Sequence, residues 1–467
     1  MSVLRKFLCI FLVTALLAAC APATPTATPM PTDTPGPTAT PLPPTLTPWP
    51  ASTAVPTPVA GALFVDPGAD LGLVSRYVYG SNYGPWVAIP YNMLDAGFKS
   101  HVTVLRWPGG EWGDRNDIQQ TQLDTFMGIL KQMDAIPTIS VRLLNGTPQT
   151  AAAPVHYANI EKGYKIHYWS IGNEPNLYEA FIKQSYDTAR LNREWRAIAL
   201  AMKAVDPSIE LLGPELSQFT GDPAYNPKDH AGLDWMTEFL KANGDLTDVV
   251  TIHRYPFPKN MQGDQASIDE MRANSAEWDK TIPYLRSLIH NLTGRDIPIG
   301  VTELNSYWAS GVIKGDTTPD SFYSAIWYAD VLGHLIKQRV FLVNHFVFAS
   351  RDGGLGLIYG SELRPTYYVF QMYNHFGSQQ VYAASGIPNV TIYAAKREDG
   401  ALTLMVINLS DAEQKVPLQV QGMTLSKAGV WLFDATHNAE DAGSTDLSGG
   451  ALKLPPQSIT LFELPGK

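Results

Sequence analysis

Residues 166–176 read Ile166-His167-Tyr168-Trp169-Ser170-Ile171-Gly172-Asn173-Glu174-Pro175-Asn176. The first six suit a buried strand, and Gly172 with the polar residues after it ends the run. Farther on, the stretch from Trp195 to Met202 returns apolar residues every three or four positions, the period of an amphipathic helix. Outward from this strand-then-helix unit the same pattern recurs. Candidate strands are Tyr77 to Gly80, Val102 to Trp107, Thr138 to Leu143, Ile166 to Ile171, Ile209 to Leu212, Val249 to His253, Ile297 to Thr302 and Val340 to Phe348. Helical stretches at 123–133, 233–240, 278–289 and 322–336 lie between or after them. Eight such units over roughly 300 residues predict an α/β fold, a (β/α)8 TIM barrel. An open doubly wound sheet would bring a glycine-rich phosphate turn after an early strand. Gly353-Gly354-Leu355-Gly356 follows the last strand with the wrong spacing and reads as a loop.

Beyond about residue 380 the helical periods stop. Val390 to Ala394, Leu402 to Ile407, Lys415 to Val420, Val430 to Phe433 and Ser458 to Leu464 read as strands of a C-terminal antiparallel β-sandwich, to which Gly61 to Val65 supply one more. The expected division is a catalytic-type barrel over 61–378 and a sandwich over 379–467.

The start of the chain carries an address. Arg5 and Lys6 precede an apolar run from Phe7 to Ala19, too short to span a bilayer comfortably, so 1–19 read as an export signal. Leu17-Ala18-Ala19-Cys20 resembles the lipobox of bacterial lipoproteins, which implies a lipidated Cys20 and an exported protein anchored to a membrane on its extracytoplasmic side. Residues 21–60 hold 13 of the 36 prolines and one charge, Asp33, so 20–60 are expected to form a lipidated Cys and a Pro/Thr-rich linker, a semi-extended stalk of roughly 120 Å at full stretch. Cys9 leaves with the signal, so no disulfide is expected.

The 467 residues carry 34 Lys and Arg against 44 Asp and Glu, a formal charge of -10, which argues against a nucleic-acid partner. Tyr 21, Phe 17 and Trp 11 suit the flat faces of sugar rings, although most aromatic residues in so long a chain pack in its core. No metal or cofactor motif is present.

In a barrel the chemistry sits at the C-terminal ends of the strands. Two of those ends carry a glutamate in a polar setting, Glu174 after the fourth strand and Glu303 in Ile299-Gly300-Val301-Thr302-Glu303-Leu304-Asn305 after the seventh. Here the sequence resembles the clan A retaining glycoside hydrolases. Asn173-Glu174-Pro175 resembles their acid/base motif and Thr302-Glu303 their nucleophile motif. Leu105-Arg106-Trp107-Pro108-Gly109-Gly110 is similar to the strand-two motif of members acting on xylosides, arabinofuranosides or glucuronides, and Ile252-His253-Arg254-Tyr255-Pro256 to the strand-six pattern. The resemblance spans about residues 76–350.

It implies a surface-anchored enzyme cleaving the glycosidic bonds of a carbohydrate substrate by double displacement, with no cofactor. Glu174 would protonate the leaving oxygen and Glu303 attack the anomeric carbon, the two carboxyls standing about 5 to 5.5 Å apart. Arg106 and a hydrogen bond from Tyr255 would keep Glu303 ionised, and the charge on Glu303 would keep Glu174 protonated. Asn173 would bond the sugar 2-OH, and His253 would contact either the nucleophile region or the substrate. Glu111 and Asp114 are further candidate substrate contacts, whereas Asp117, Glu215 and Asp352 read as solvated loop charges. Trp308, Trp112, Tyr83, Trp86 and Phe348 could form a sugar platform or pack in the core. The family often carries a Trp after strand eight, where this chain has Phe346 and Phe348. Two rivals share these residues: a carbohydrate-binding lipoprotein without catalysis, and a transglycosylase using the same two glutamates.

Overall fold

A long strand, β1 (Leu63–Leu73), precedes eight short parallel strands that close on themselves: β2 (Gly80–Asn82), β3 (Val104–Trp107), β4 (Ile136–Val141), β5 (Tyr168–Ile171), β6 (Glu210–Leu216), β7 (Val249–Arg254), β8 (Ile299–Leu304) and β9 (Leu342–His345). β9 pairs back onto β2, Gly80 opposite Asn344, so the barrel has no open edge. This computed structural model describes residues 59–257, 265–309, 315–351 and 353–466, and the expected signal, Cys20, the linker as far as 58 and Asp352 lie outside them. All eight expected barrel strands are present. The first is displaced, because Tyr77 and Val78 form a 3-10 turn capped by the Ser75 hydroxyl and the strand starts only at Gly80. Gly80 lies so close to Asn344 that a Cβ there would meet its Oδ1 at 2.1 Å. A three-stranded ribbon, β10 (Ala349–Ser350), β11 (Ile358–Tyr359) and β12 (Glu362–Leu363), follows the last barrel strand.

The helices obey their sequence signals. Thr147 and Ser267 make capping boxes, and Asp187, Asp234 and Ser321 accept backbone hydrogen bonds at the starts of their helices. Helix Phe322–Lys337 is buried on every face from Tyr323 to Ile336, since it lies between the barrel and a second sheet.

That second sheet joins β1 to β13 (Gln379–Ser385), β14 (Val390–Lys396), β15 (Leu402–Asn408), β16 (Gln414–Val420), β17 (Lys427–Phe433), β18 (Asn438–Asp446), β19 (Ala451–Leu454) and β20 (Ser458–Leu464). The expected sandwich is one continuous nine-stranded sheet, curled and antiparallel except where β1 runs parallel to β16. Alternation on β15 explains the packing. Leu402, Leu404 and Val406 enter a core inside the curl, while Met405 and Ile407 join the barrel's core. β1 lies in mid-sheet between β13 and β16, with Leu63 and Val65 fully buried.

Candidate active site

The inner wall of the barrel is lined in part by small polar side chains, among them Ser81, Thr138, Ser140, Ser170, Thr251 and Thr302, all buried. Larger ionisable groups stand above them at the C-terminal strand ends. Arg106, fully buried on β3, is the hub. Its Nη1 donates to Glu303 Oε1 at 2.9 Å and to Asn82 Oδ1 at 3.0 Å, and its Nη2 donates to Asn173 Oδ1 at 2.9 Å. The Tyr255 hydroxyl donates to the other oxygen of Glu303 at 2.6 Å. Both partners expected for Glu303 are therefore in place.

His253, at the end of β7, sits between the carboxyls. Nδ1 is 3.1 Å from Glu174 Oε1 and 3.6 Å from Glu303 Oε2, while Nε2 is 2.9 Å from Glu215 Oε2. His253 thus stands nearest Glu215 and Glu174, with Glu303 next. One oxygen of Glu174, one of Glu303 and a ring nitrogen of His253 all lie within 4.8 Å of one another. The same three groups could in principle ligate a metal ion. Both oxygens of Glu303 already accept hydrogen bonds, one from a guanidinium, so a cation there would meet the Arg106 charge.

Glu215 is the residue that sequence reasoning misplaced. It is no solvated loop charge: its side chain is wholly buried at the end of β6, where Oε2 faces His253, lies 3.6 Å from Arg106 Nη2 and accepts the Thr302 hydroxyl. The expected strand ends at Leu212, yet β6 continues through Pro214 to Leu216, and the Glu215 N–H is taken by Thr251 Oγ1 at 3.0 Å. Both Glu174 (φ 49) and Glu215 (φ 60) are left-handed, a conformation that costs a non-glycine residue about 1–2 kcal/mol. The two are linked, since the Glu174 N–H donates to the Glu215 carbonyl at 3.0 Å.

Asp114 also differs from expectation. It is only 4% exposed and touches the site through backbone: Oδ1 accepts the N–H groups of Leu143 and Leu144, and Oδ2 accepts the Asn173 N–H at 2.7 Å and the Tyr178 hydroxyl. Glu111 is half-exposed and paired with Arg115 at 2.6 Å, apart from the cluster, and Asp117 faces Arg142. Among the aromatic candidates, Tyr83 and Phe348 pack edge to face in the core. Trp86 and Trp308 are exposed, and Phe346 meets the Tyr255 ring edge to face. Gly110 (φ 62) brings the backbone against Phe346 and Glu303, where a Cβ would stand 3.2 Å from the Phe346 ring.

Burial raises the Glu303 carboxyl above the ordinary glutamate range, the charges of His253 and Arg106 pull it down, and the neighbouring Glu174 charge adds to the rise; the net direction is upward. For Glu215, burial alone would raise the carboxyl, but Arg106, the His253 hydrogen bond and charge, and Ser170 bring it down to about 2. For His253, burial alone would disfavour the cation, but the Glu303 charge, the hydrogen bonds to Glu174 and Glu215 and the Glu174 charge raise it to about 9. Burial lifts Asp114 to about 6 against the donors gathered on it. The network thus holds two cations, Arg106 and His253, against three carboxyls.

A family model described as "Glycosyl hydrolases family 39" matches residues 163–430, a stretch that includes Asn173, Glu174, Glu215, His253, Tyr255 and Glu303. No curated protein sequence matches the chain. Among solved structures it resembles CelM2, a bifunctional glucanase-xylanase from a metagenome library, at TM-score 0.70 and 19% identity over 87% of this chain and 99% of that one. It also resembles the α-L-arabinofuranosidase of Thermotoga maritima (TM-score 0.68, 20% identity, 86% and 99% covered) and a family 44 xyloglucanase of Paenibacillus polymyxa (0.64, 17%, 86% and 99%).

Proposed function

The chain belongs to glycosyl hydrolases family 39 and is a glycosidase, and from that premise we propose that it works by double displacement on a carbohydrate substrate, with Glu303 as nucleophile and Glu174 as acid/base. The observation that carries this reading is the approach of the two carboxyls, whose nearest oxygens lie within 4.8 Å of each other. Retention needs carboxyls about 5–5.5 Å apart, whereas inversion needs about 6.5–9.5 Å to seat a water between acid and base.

Glu303 receives one hydrogen bond from a guanidinium and one from a phenol, donors that suit a carboxylate nucleophile, and Glu174 takes the part of the acid. Glu174 protonates the glycosidic oxygen as Glu303 closes on the anomeric carbon. The Glu174 carboxylate then takes a proton from water, which attacks the glycosyl-enzyme from the same face. When Glu303 becomes an ester it loses its charge, and Arg106 stays neutralised by Glu215. Asn173, its Oδ1 engaged by Arg106, presents its amide nitrogen to the sugar 2-OH.

The test begins with aryl glycosides of xylose, arabinose, glucose, galactose, mannose and glucuronic acid, to find a substrate. Glu303→Ala should then abolish turnover, while Glu174→Ala should chiefly slow substrates with poor leaving groups. With azide, Glu174→Ala should give a glycosyl azide of retained configuration and Glu303→Ala an inverted one. The same configuration from both, or wild-type release of an inverted sugar, would overturn the assignment. Adding acceptor sugars to the wild type separates hydrolysis from transglycosylation. The lipobox-like Leu17–Cys20 supports a further part of the reading, that the enzyme is exported and held at a membrane surface by a lipid on Cys20. Cys20→Ser should release it from the membrane fraction or block its processing, and unchanged association would exclude the anchor.

A further inference from the structure

The Glu215 side chain is wholly buried, and it holds three parts of the site at once. Its carbonyl fixes the backbone of Glu174, its carboxylate lies against Arg106, and the same carboxylate oxygen accepts from His253 and Thr302. A fully buried carboxylate requires compensation, and here the compensating groups belong to the machinery itself.

The ring of His253 allows two states. As a neutral imidazole donating from Nε2 to Glu215, it would turn a bare Nδ1 lone pair toward Glu174. As an imidazolium it donates from both nitrogens. The charged groups facing the ring decide between them: Glu215 from β6, Glu303 from β8 and Glu174 from the end of β5 favour the cation, with Arg106 of β3 paired to Glu215 and Glu303 and the Tyr255 hydroxyl committed to Glu303. Three acidic groups against one buried guanidinium leave a second cation to be supplied, and His253 is the group placed to supply it.

We propose that Glu215 is a positioning residue that holds His253 as a two-donor imidazolium between the catalytic carboxyls, aiming Nδ1–H at Glu174 Oε1 and leaving the other Glu174 oxygen for the departing group. This rests on the reading of Glu174 as acid/base. In the first step the proton on Glu174 goes to the leaving oxygen, and the carboxylate that remains is met by a hydrogen bond already formed. His253 keeps both of its protons throughout. In the second step the same carboxylate takes a proton from water, again without exchange with the ring. The upward shift of His253 to about 9 agrees with this state of the ring.

Two measurements test it. Glu215→Gln keeps the shape and removes the charge, which lowers the proton affinity of every neighbouring group. Both limbs of its kcat/KM–pH profile on an activated aryl glycoside should therefore move to lower pH, by about one unit. Glu215→Asp, which keeps the charge, should restore the limbs even where its shorter reach lowers kcat. A folded Glu215→Gln with unmoved limbs would reduce Glu215 to a structural residue and overturn the proposal. The second measurement needs no Glu215 variant and no turnover: nitrogen NMR of histidine-labelled wild type, with the His253 signal assigned by its loss in His253→Gln. Both ring nitrogens should be protonated at pH 7, and a neutral ring would overturn the proposal even if Glu215→Gln failed to fold. Neither readout depends on the configuration of the azide products, so failure here is distinguishable from failure of the assignment of Glu174 and Glu303.

Discussion

Replacing Asp114 tests how the loop that carries Glu174 is held. Four donors converge on this buried carboxylate, the N–H groups of Leu143, Leu144 and Asn173 and the Tyr178 hydroxyl. A buried donor left without a partner costs about 1–3 kcal/mol. Asp114→Asn retains one oxygen that can accept from two of the four and turns an amide N–H2 toward the others, so two donors are lost and the expected destabilisation is about 2–6 kcal/mol. Asp114→Ala removes this acceptor from all four, leaving the Asn173 N–H its longer bond to the Tyr178 hydroxyl oxygen at 3.3 Å, and water entering the space of the carboxyl relieves part of the loss. Because Asn173 adjoins Glu174, the loosened backbone should also displace the acid/base group, and misplacement by about 1 Å is enough for a hundredfold loss of rate. Urea unfolding of wild type and both variants gives the stability, and steady-state kinetics on an activated aryl glycoside and on one with a poor leaving group gives the consequence. kcat should fall more for the poor leaving group, since Glu174 serves that step. An Asp114→Asn protein of wild-type stability and wild-type kcat would refute the reasoning.

Two further outcomes follow from charge and topology. His253 is raised to about 9 against an unfolded value near 6.5, so its contribution is fully present below about 6.5 and is lost as pH rises through 9; the wild-type melting temperature should fall across that window more steeply than that of His253→Gln, and parallel curves would contradict the assigned charge. A chain starting at Val59 keeps β1, whereas one starting at Val74 lacks it. Loss of the buried Leu63 and Val65 side chains, at about 1.5–3 kcal/mol each, should make the shorter chain melt about 4–7 °C below the longer one, as scanning calorimetry would reveal.

Much of the barrel was legible because its strands follow the strand-then-helix rhythm and end in Gly, Pro or polar residues. Arg106, Asn173, Glu174, His253, Tyr255 and Glu303 were legible as a group for the same reason: each lies at or just beyond a strand end, and closure of the barrel brings those ends together. Asp114 and Glu215 were not. Sequence gives a charged residue in a turn-like setting no sign of direction, and both turn inward, toward backbone N–H groups in one case and an Arg–His pair in the other. In the curled sheet, β18 was missed because most of its residues are exposed and polar and show no apolar alternation. β1 was expected only as far as Val65; the strand absorbs the run Asp66-Pro67-Gly68-Ala69-Asp70 as an irregularity in its pairing with β13 and continues to Leu73.

The place of β1 in mid-sheet has a consequence for how the molecule is made. It precedes the barrel, and its partners β13 and β16 follow the barrel about 300 residues later. As the chain emerges from the ribosome or an export channel, this strand arrives first and stays unpaired on both sides while eight β/α units are produced. Pairing with β13 then draws the segment entering the barrel beside the segment leaving it, like a buckle fastened after the belt is threaded. An interrupted chain has no means of fastening, and it displays the apolar face of β1 and the sheet-facing side of helix Phe322–Lys337 together, the surfaces that mark an unfinished molecule for aggregation or removal.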